Sequence, residues 1–586
     1  MPGGLMQLTA FGAQNVLING NPSMSYFTKL YKRTTNFAME HFRLDPRNVT
    51  DTGLPQAGTR TFRFKVPNYA DLLHDCYLCL TLPDIWSPLT QPPASTPAAT
   101  VPFGAPYEFT WNKNIGFNMI QEVAINFNGT TMVTMTGEWL KILSYMQDDV
   151  SKRAVIDQMV GNTPDMYDPG NAAGRTNQYP HAINTPANPT PAPSIRGRQL
   201  QIPLPFWFCK EIGQALPLIS MRLTEIEFVV TLTNMYNLFT INNVTLAPYK
   251  TRILGIPGDT NKGIQNFLSY PDRSGNPINS ALTNWNMDPY IEANYIFLTD
   301  TERAYVAANE RTFLVNQVRY VRNEKQYGLN SALIPMYNLC TRVVALFQRV
   351  DRALINDWDN YTNWTDTRYA PVISGRKTPF SLKVGGTDPY GANNIYSPTQ
   401  FLTSGYGFSN AMNQQDIMVE GNLVFDGKDR FPTKNVNFFR EIQNYKFSKG
   451  DSEQMPGIYL YSFALDPNTV TQPSGTVNAS MFNKTYFNYT LLVPPVQATS
   501  LTTQASLAVL KETVFNSNPG PGVNVLSTIS PAPGVAPLVN PADVVVLYST
   551  PTNLDLQYQG YNSTVYIESY NFLKVTNGQA NVVFTT

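Results

Sequence analysis

Thr61-Phe62-Arg63-Phe64-Lys65-Val66 alternates without a break, with an aromatic or aliphatic residue at every second position and Thr, Arg or Lys between. Successive side chains of a strand point to opposite faces, so this stretch carries one apolar face and one polar face, as a sheet buried on one side requires. The same reading predicts strands at 76–82, 119–127, 200–208, 223–232, 295–298, 343–348, 457–465, 486–493, 544–548 and 565–570. The fold class is therefore all-β. The irregular spacing of the strands fits sandwiches with large inserted loops better than tight meanders.

Two strands end in turn pairs that favour a type I′ hairpin: Val123-Ala124-Ile125-Asn126-Phe127-Asn128-Gly129 and Asn422-Leu423-Val424-Phe425-Asp426-Gly427. Their comparable places in the two halves suit a duplicated domain, although such turns occur in any β protein. Helical spacing is confined to two segments. One is 138–159, with Leu140, Leu143, Met146 and Val150 on one face. The other is 300–310, where Asp300 or Thr301 can cap and Ala304, Ala307 and Ala308 favour helix. The second lies near the chain midpoint and reads as a short connector. Stretches rich in Pro, Gly, Asn and Thr at 87–106, 161–198, 255–288, 365–415 and 497–541 read as long loops, which in a sandwich gather at its ends and suggest an elaborated exposed face.

At 586 residues the chain has material for about two large sandwiches. Hydrophobic residues make up 42% and charged ones only 14%, well below the usual value of about 25%. The net charge is +0 with no run of Lys or Arg, so direct nucleic-acid binding is not expected, and copies of the chain would repel one another weakly. No stretch reaches the roughly 18 apolar residues that span a bilayer, and the N-terminus lacks the basic and apolar regions of a signal peptide; synthesis in the cytosol is expected.

Candidate chemistry is sparse. Cys76-Tyr77-Leu78-Cys79 has the CxxC spacing of zinc or redox sites, but alternation puts the two thiols on opposite strand faces, and buried apolar thiols are the simpler reading. With 4 cysteines in all, stability must come from packing. The 3 histidines, His41, His74 and His181, have no neighbouring nucleophile motif. Glu225 and Glu227 share a strand face and are the candidates for a glycosidase pair, although solvation of that face is the simpler explanation. Phosphate-binding loops are absent, and no cofactor or metal is indicated. Of the Asn-x-Ser/Thr acceptors, Asn360, Asn363, Asn483 and Asn488 are the candidates for glycan attachment by a route other than secretion.

The opening segment, Gly3-Gly4-Leu5-Met6-Gln7-Leu8-Thr9-Ala10-Phe11-Gly12-Ala13-Gln14-Asn15, runs on through Gly20-Asn21-Pro22 to Phe27-Thr28-Lys29-Leu30-Tyr31-Lys32-Arg33-Thr34-Thr35-Asn36-Phe37. It resembles the N-terminal signature of the major capsid proteins of nucleocytoplasmic large DNA viruses. Further blocks are similar to that family in the same order. They are Pro203-Leu204-Pro205-Phe206-Trp207-Phe208-Cys209 with Ala215-Leu216-Pro217-Leu218-Ile219, then Tyr295-Ile296-Phe297-Leu298 with Thr301-Glu302-Arg303, then Asn356-Asp357-Trp358 and Asp429-Arg430-Phe431. Pro456–Leu465, Gln472-Pro473-Ser474-Gly475 and Tyr570–Val575 complete the set. At the junction, Ala304-Tyr305 stand where relatives typically carry further arginines, and the loops share no recognisable pattern.

The resemblance implies a structural protein, not an enzyme, with two consecutive eight-stranded jelly rolls. Its expected divisions are an N-terminal arm (1–26), a first jelly roll (27–299), a linking helix (300–310) and a second jelly roll (311–586). It further implies a homotrimeric, pseudo-hexagonal capsomer in the shell of a virion assembled in host cytoplasm. The partners would be neighbouring capsomers, minor capsid and penton proteins and an internal membrane beneath the shell, with the arm facing inward. Trp207 and Phe208 are expected in the sandwich core. The alternative from another class is a glycan-binding or glycan-cleaving β-sandwich.

Overall fold

The computed structural model describes residues 3–28, 31–47, 49, 51–88, 107–175, 178–243, 251–259, 262–363, 415–450, 456–469, 471–492, 508–510, 544–546 and 560–584. The opening hexapeptide falls in strand β2, where Phe62 and Phe64 are buried and Arg63 and Lys65 exposed. Eight strands build the jelly roll of the first half, beside a separate three-stranded sheet of Tyr107–Trp111, Phe239–Asn243 and Thr251–Ile253: β1 (Phe37–Leu44), β2 (Arg60–Lys65), β3 (Leu72–Leu82), β4 (Ile120–Phe127), β5 (Thr130–Thr136), β6 (Arg198–Pro203), β7 (Ile226–Leu232) and β8 (Tyr290–Leu298). They form two antiparallel sheets in the orders β1-β8-β3-β6 and β2-β7-β4-β5.

Eight more strands repeat this plan: β9 (Arg311–Gln326), β10 (Gly328–Leu333), β11 (Leu339–Arg349), β12 (Met418–Phe425), β13 (Lys428–Asp429), β14 (Ile458–Ser462), β15 (Thr485–Leu491) and β16 (Tyr561–Thr576). Their orders are β9-β16-β11-β14 and β10-β15-β12-β13. In each half the first, eighth, third and sixth strands make one sheet and the second, seventh, fourth and fifth the other, which is the jelly-roll order. The two anticipated hairpins join the fourth strand to the fifth in both halves. Asn128 and Gly129 (φ 49° and 82°) match Asp426 and Gly427 (φ 47° and 81°), the paired left-handed conformations of a type I′ turn.

Several boundaries differ from expectation. The strand anticipated at 200–208 ends at Pro203, and Trp207–Lys210 forms a helical turn that keeps Trp207 and Phe208 in the core. The strand anticipated from 223 begins at Ile226. The helix anticipated over 138–159 is two helices, Gly137–Gln147 and Val150–Met159, because Asp148 and Asp149 take extended conformations (ψ 135° and 157°). The linking helix is Asp300–Ala308 and its capping position is Thr299, while Asp300 and Glu302 lie in its first turn. There Arg303 Nε donates to Asp71 Oδ1 at 2.9 Å and clamps the helix to the first jelly roll. Most of the anticipated loops at 365–415 and 497–541, the anticipated loop residues 89–106, and residues 547–548 of an anticipated strand lie outside the described residues.

Candidate functional site: the seam between the two jelly rolls

The helix Gly137–Gln147 (GEWLKILSYMQ) is apolar on nearly every side, a pattern that requires packing on more than one face. It starts tight against the chain before it: a β-carbon at Gly137 would strike the carbonyl oxygens of Phe117 and Ile120. Thr136 caps it, accepting a hydrogen bond from Trp139 N at 3.1 Å. The second jelly roll covers its far side with sheet β9-β16-β11-β14, which is buried on both faces. Val343, Ala345, Phe347, Val565 and Ile567 pack in that jelly roll's own core. The opposite-pointing Val344, Leu346, Tyr566, Phe313 and Val315 join the core of the first jelly roll. The rings of Trp139 and Tyr566 meet at 5.1 Å.

Polar groups fix the register of this contact. Glu138 accepts hydrogen bonds from Tyr361 and Tyr566, both at 2.7 Å, and pairs with Arg322 at 3.4 Å, so one carboxylate of the first jelly roll holds three side chains of the second. Burial, reinforced by the nearby Glu138 charge, pushes both phenols well above 10.0. Lys141, almost wholly enclosed, forms an ion pair with Asp359, to which Asn114 Nδ2 and Asn118 Nδ2 also donate at 3.3 and 3.4 Å. Just behind the interface Arg342 and Glu568 make a second, fully buried pair within the second jelly roll; Asn316 completes it through a 2.8 Å bond to Glu568, and the guanidinium faces Trp139 at 5.8 Å.

Three backbone contacts extend the seam. Asn356, in the left-handed conformation that Asn tolerates (φ 51°), donates to the carbonyls of Tyr236 and Phe239 at 2.6 and 3.0 Å, and Trp358 Nε1 donates to Asn237 O at 2.9 Å. Lys449 N and Ser448 Oγ donate to Met146 O at 2.8 and 3.0 Å, satisfying a carbonyl that the helix end leaves open. The hairpin after β16 meets the first jelly roll through Leu223 N to Gly578 O at 3.0 Å. Taken together these contacts do no bond-making chemistry; they turn two similar sandwiches into one rigid block.

The residues singled out for chemistry are not assembled into a reactive site. His41 is exposed beside Glu292 (3.9 Å), His74 is buried against Phe208 O (2.6 Å), and His181 lies by Glu108 (3.5 Å). Glu225, just ahead of β7, pairs with Arg47 and Lys65, both at 3.1 Å, and Glu227 with Arg63 at 2.9 Å, so each carboxylate is neutralised by neighbouring cations. Burial raises Cys79 to about 11 and Cys340 to about 12. Among the described residues no group of three or more His, Cys, Asp and Glu could hold a metal ion. Asn360 and Asn363 are buried, Asn488 is half-buried, and Asn483 is exposed. The sequence reading flagged none of Glu138, Lys141 and Asp359 for a role; Asn356-Asp357-Trp358 was noted for its family resemblance, with no contact assigned to it.

Residues 25–298 match the family described as "Major capsid protein N-terminus", and residues 302–516 match "Large eukaryotic DNA virus major capsid protein". The major capsid protein of Phaeocystis pouchetii virus is 24% identical over 85% of this chain and 94% of its own length. That of Chrysochromulina ericina virus is 24% identical over 82% and 92%. Among solved structures, the PBCV-1 virus capsid protein superposes with a TM-score of 0.55 at 16% identity, covering 96% of this chain and all of that one, and so shares the fold. Two family matches in sequence span the first jelly roll and the second as far as residue 516, ahead of its last strand, and the block is structural: the chain belongs to the major capsid proteins of large eukaryotic DNA viruses.

Proposed function

We propose that three copies of this chain close into a capsomer of pseudo-hexagonal outline, and that these capsomers tile the flat facets of an icosahedral shell beside one another. The observation that carries this reading is the identical strand order of the two jelly rolls, locked by one buried seam. Three copies of a two-fold repeated block offer six similar edges, and hexagonal units fill a plane. The seam supports the reading because a block whose halves moved independently would not hold those edges at fixed angles.

The divisions that suit this role are an arm over 1–26, a first jelly roll over 27–299, a linker over 300–310 and a second jelly roll over 311–586. The arm carries two short helices, Gly3–Thr9 and Ala13–Asn19, on which Leu5, Leu8, Leu17 and Ile18 are exposed. Such unpartnered apolar groups suit an inward-facing segment that finishes folding against neighbouring capsomers, minor capsid or penton proteins, or a membrane beneath the shell. Assembly in the host cytoplasm is part of the same proposal. For glycan attachment, burial narrows the four candidates to Asn483 and Asn488, with Asn483 the more open.

Native mass spectrometry and light scattering of the purified chain, followed by electron microscopy of its assemblies, test the proposal. A stable trimer that forms hexagonal arrays supports it. A monomer whose melting temperature responds to sugars would favour the glycan-binding alternative instead.

A further inference from the structure

We propose that Cys76 and Cys209 are an oxidisable pair, which closes to a disulfide that staples strand β3 to the helical turn after β6. The CxxC spacing directs attention from Cys76 to Cys79, yet the two point to opposite faces: Cys76 packs in the core, whereas Cys79 Sγ lies 3.9 Å from Glu292 Oε2. The fold brings another thiol to Cys76, from 133 positions further along. Beyond β6, Leu204 N donates to Cys76 O at 3.0 Å. The turn Trp207–Lys210 then curls back over β3, where Phe208 O meets His74 Nδ1 at 2.6 Å. Both thiols consequently donate to the same oxygen: Cys76 Sγ lies 3.4 Å and Cys209 Sγ 3.6 Å from His74 O. Two thiols that share one carbonyl acceptor are close neighbours, and rotation of their side chains is the movement that would close the bond.

Access sets the order of events. Cys209 is partly exposed, whereas Cys76 is 2% exposed, so a soluble disulfide such as glutathione disulfide meets Cys209 first. The Cys209 thiolate attacks one sulfur of the reagent, forming a mixed disulfide and releasing one glutathione. The Cys76 thiolate then attacks Cys209 Sγ, forming the protein disulfide and releasing the second glutathione, and the two thiol protons end on the two glutathiones. Burial, with the Cys209 contact adding to it, raises the Cys76 thiol well above 9.0, which makes the second step the slower one. A reducing cytosol keeps the pair open during synthesis; an oxidising medium outside the cell closes a loop of about 130 residues and stiffens the first jelly roll.

The full-length chain, incubated with glutathione disulfide and then alkylated and digested, tests this by mass spectrometry. The expected product is lighter by two hydrogens, yields a Cys76–Cys209 linked peptide, melts several degrees higher than the reduced chain, and reverts with dithiothreitol. Cys209→Ser should abolish the linkage, while Cys79→Ser and Cys340→Ser should leave it. A glutathione adduct that persists on Cys209 without closing, linkage through Cys79 or Cys340, or no reaction at all would each overturn the pairing. A bond that forms without raising the melting temperature would overturn its role as a staple.

Discussion

Replacing Asp359 by Ala isolates the polar part of the seam. Lys141 then remains enclosed, its side chain 2% exposed, with Asn118 Oδ1 at 3.3 Å and the Tyr361 ring at 5.2 Å as its remaining partners. Removing one member of a buried ion pair typically costs about 3–5 kcal/mol, because the other charge stays desolvated. The two remaining partners and the 12% exposure of Asp359 place this case near the lower end, about 3 kcal/mol. The unfolding entropy of a 586-residue chain is about 1.2 kcal/mol/K, so the melting temperature should fall by about 2–3 °C if the jelly rolls still unfold together. Lys141→Met should cost less, because Asp359 keeps the amides of Asn114 and Asn118 as donors. The double variant Lys141→Met with Asp359→Leu should return to within about 1 kcal/mol of the parent, since an apolar replacement leaves no orphaned charge. Scanning calorimetry and urea titration of the three variants provide the readout. If Asp359→Ala lies within about 0.5 kcal/mol of the parent, the pair is not buried in solution and the seam is looser than its geometry indicates.

At the paired hairpins, Gly129→Val and Gly427→Val should each lower stability by about 1–2 kcal/mol in urea titration, because φ values of 82° and 81° penalise a branched side chain even where space is open. Raising the pH should unfold the chain as it passes the ordinary phenol value of 10.0: the buried Tyr361, Tyr459 and Tyr566 are held well above it, so the unfolded state binds fewer protons there and stability falls with pH. Tyrosinate absorbance should rise together with the loss of near-ultraviolet circular dichroism; phenols that ionise with the fold intact would contradict their burial. At the acid end, hydrogen bonds hold Asp51 and Asp288 below 3.8, chiefly from Gly53 N and from Arg43 respectively, so their contribution is fully present above that value and is lost below it, as the pH falls through their lower folded-state values. Deleting residues 1–25 should leave the proposed trimer intact in light scattering while impairing shell formation in electron microscopy; loss of an oligomer that the full chain forms would assign the arm to the capsomer itself.

How much of this was readable depends on how many faces each element buries. Strand β2 and strand β7 are buried on one face, and their alternation, Phe62, Phe64 and then Ile226, Phe228, Val230, Leu232, could be read directly. Strands β11 and β16 are buried on both faces, so their sequences, Leu339–Arg349 and Tyr561–Thr576, carry apolar and polar residues on each side, and only their central parts were anticipated. The helix Gly137–Gln147 shows the same limit, since an element enclosed all round has no polar face to reveal its orientation. The split at Asp148 and Asp149 was missed because the apolar spacing continues across it to Val150, while two adjacent acidic residues at a capping position outweigh that spacing. The seam pairs lie 218 positions apart for Lys141 and Asp359 and 223 for Glu138 and Tyr361, and no local pattern in a single sequence links residues at such distances.

The doubly buried sheet also shows how this chain buries charge. Sheet β9-β16-β11-β14 must satisfy two cores at once, and it places the two ionisable groups at its buried centre, Arg342 and Glu568, in mutual contact rather than in water. Such a pair adds little net stability, because desolvating both ions offsets most of their attraction. Its effect is on register: sliding β11 past β16 by one residue would separate the two charges and turn Val343, Ala345 and Phe347 out of their own core. The Lys141–Asp359 and Glu138–Tyr566 contacts act in the same way between the jelly rolls, penalising every docking angle except one. For a block that must present the same edges in every copy of a large shell, a single permitted geometry matters more than additional stability, and buried polar pairs supply that selectivity where apolar packing alone would tolerate sliding.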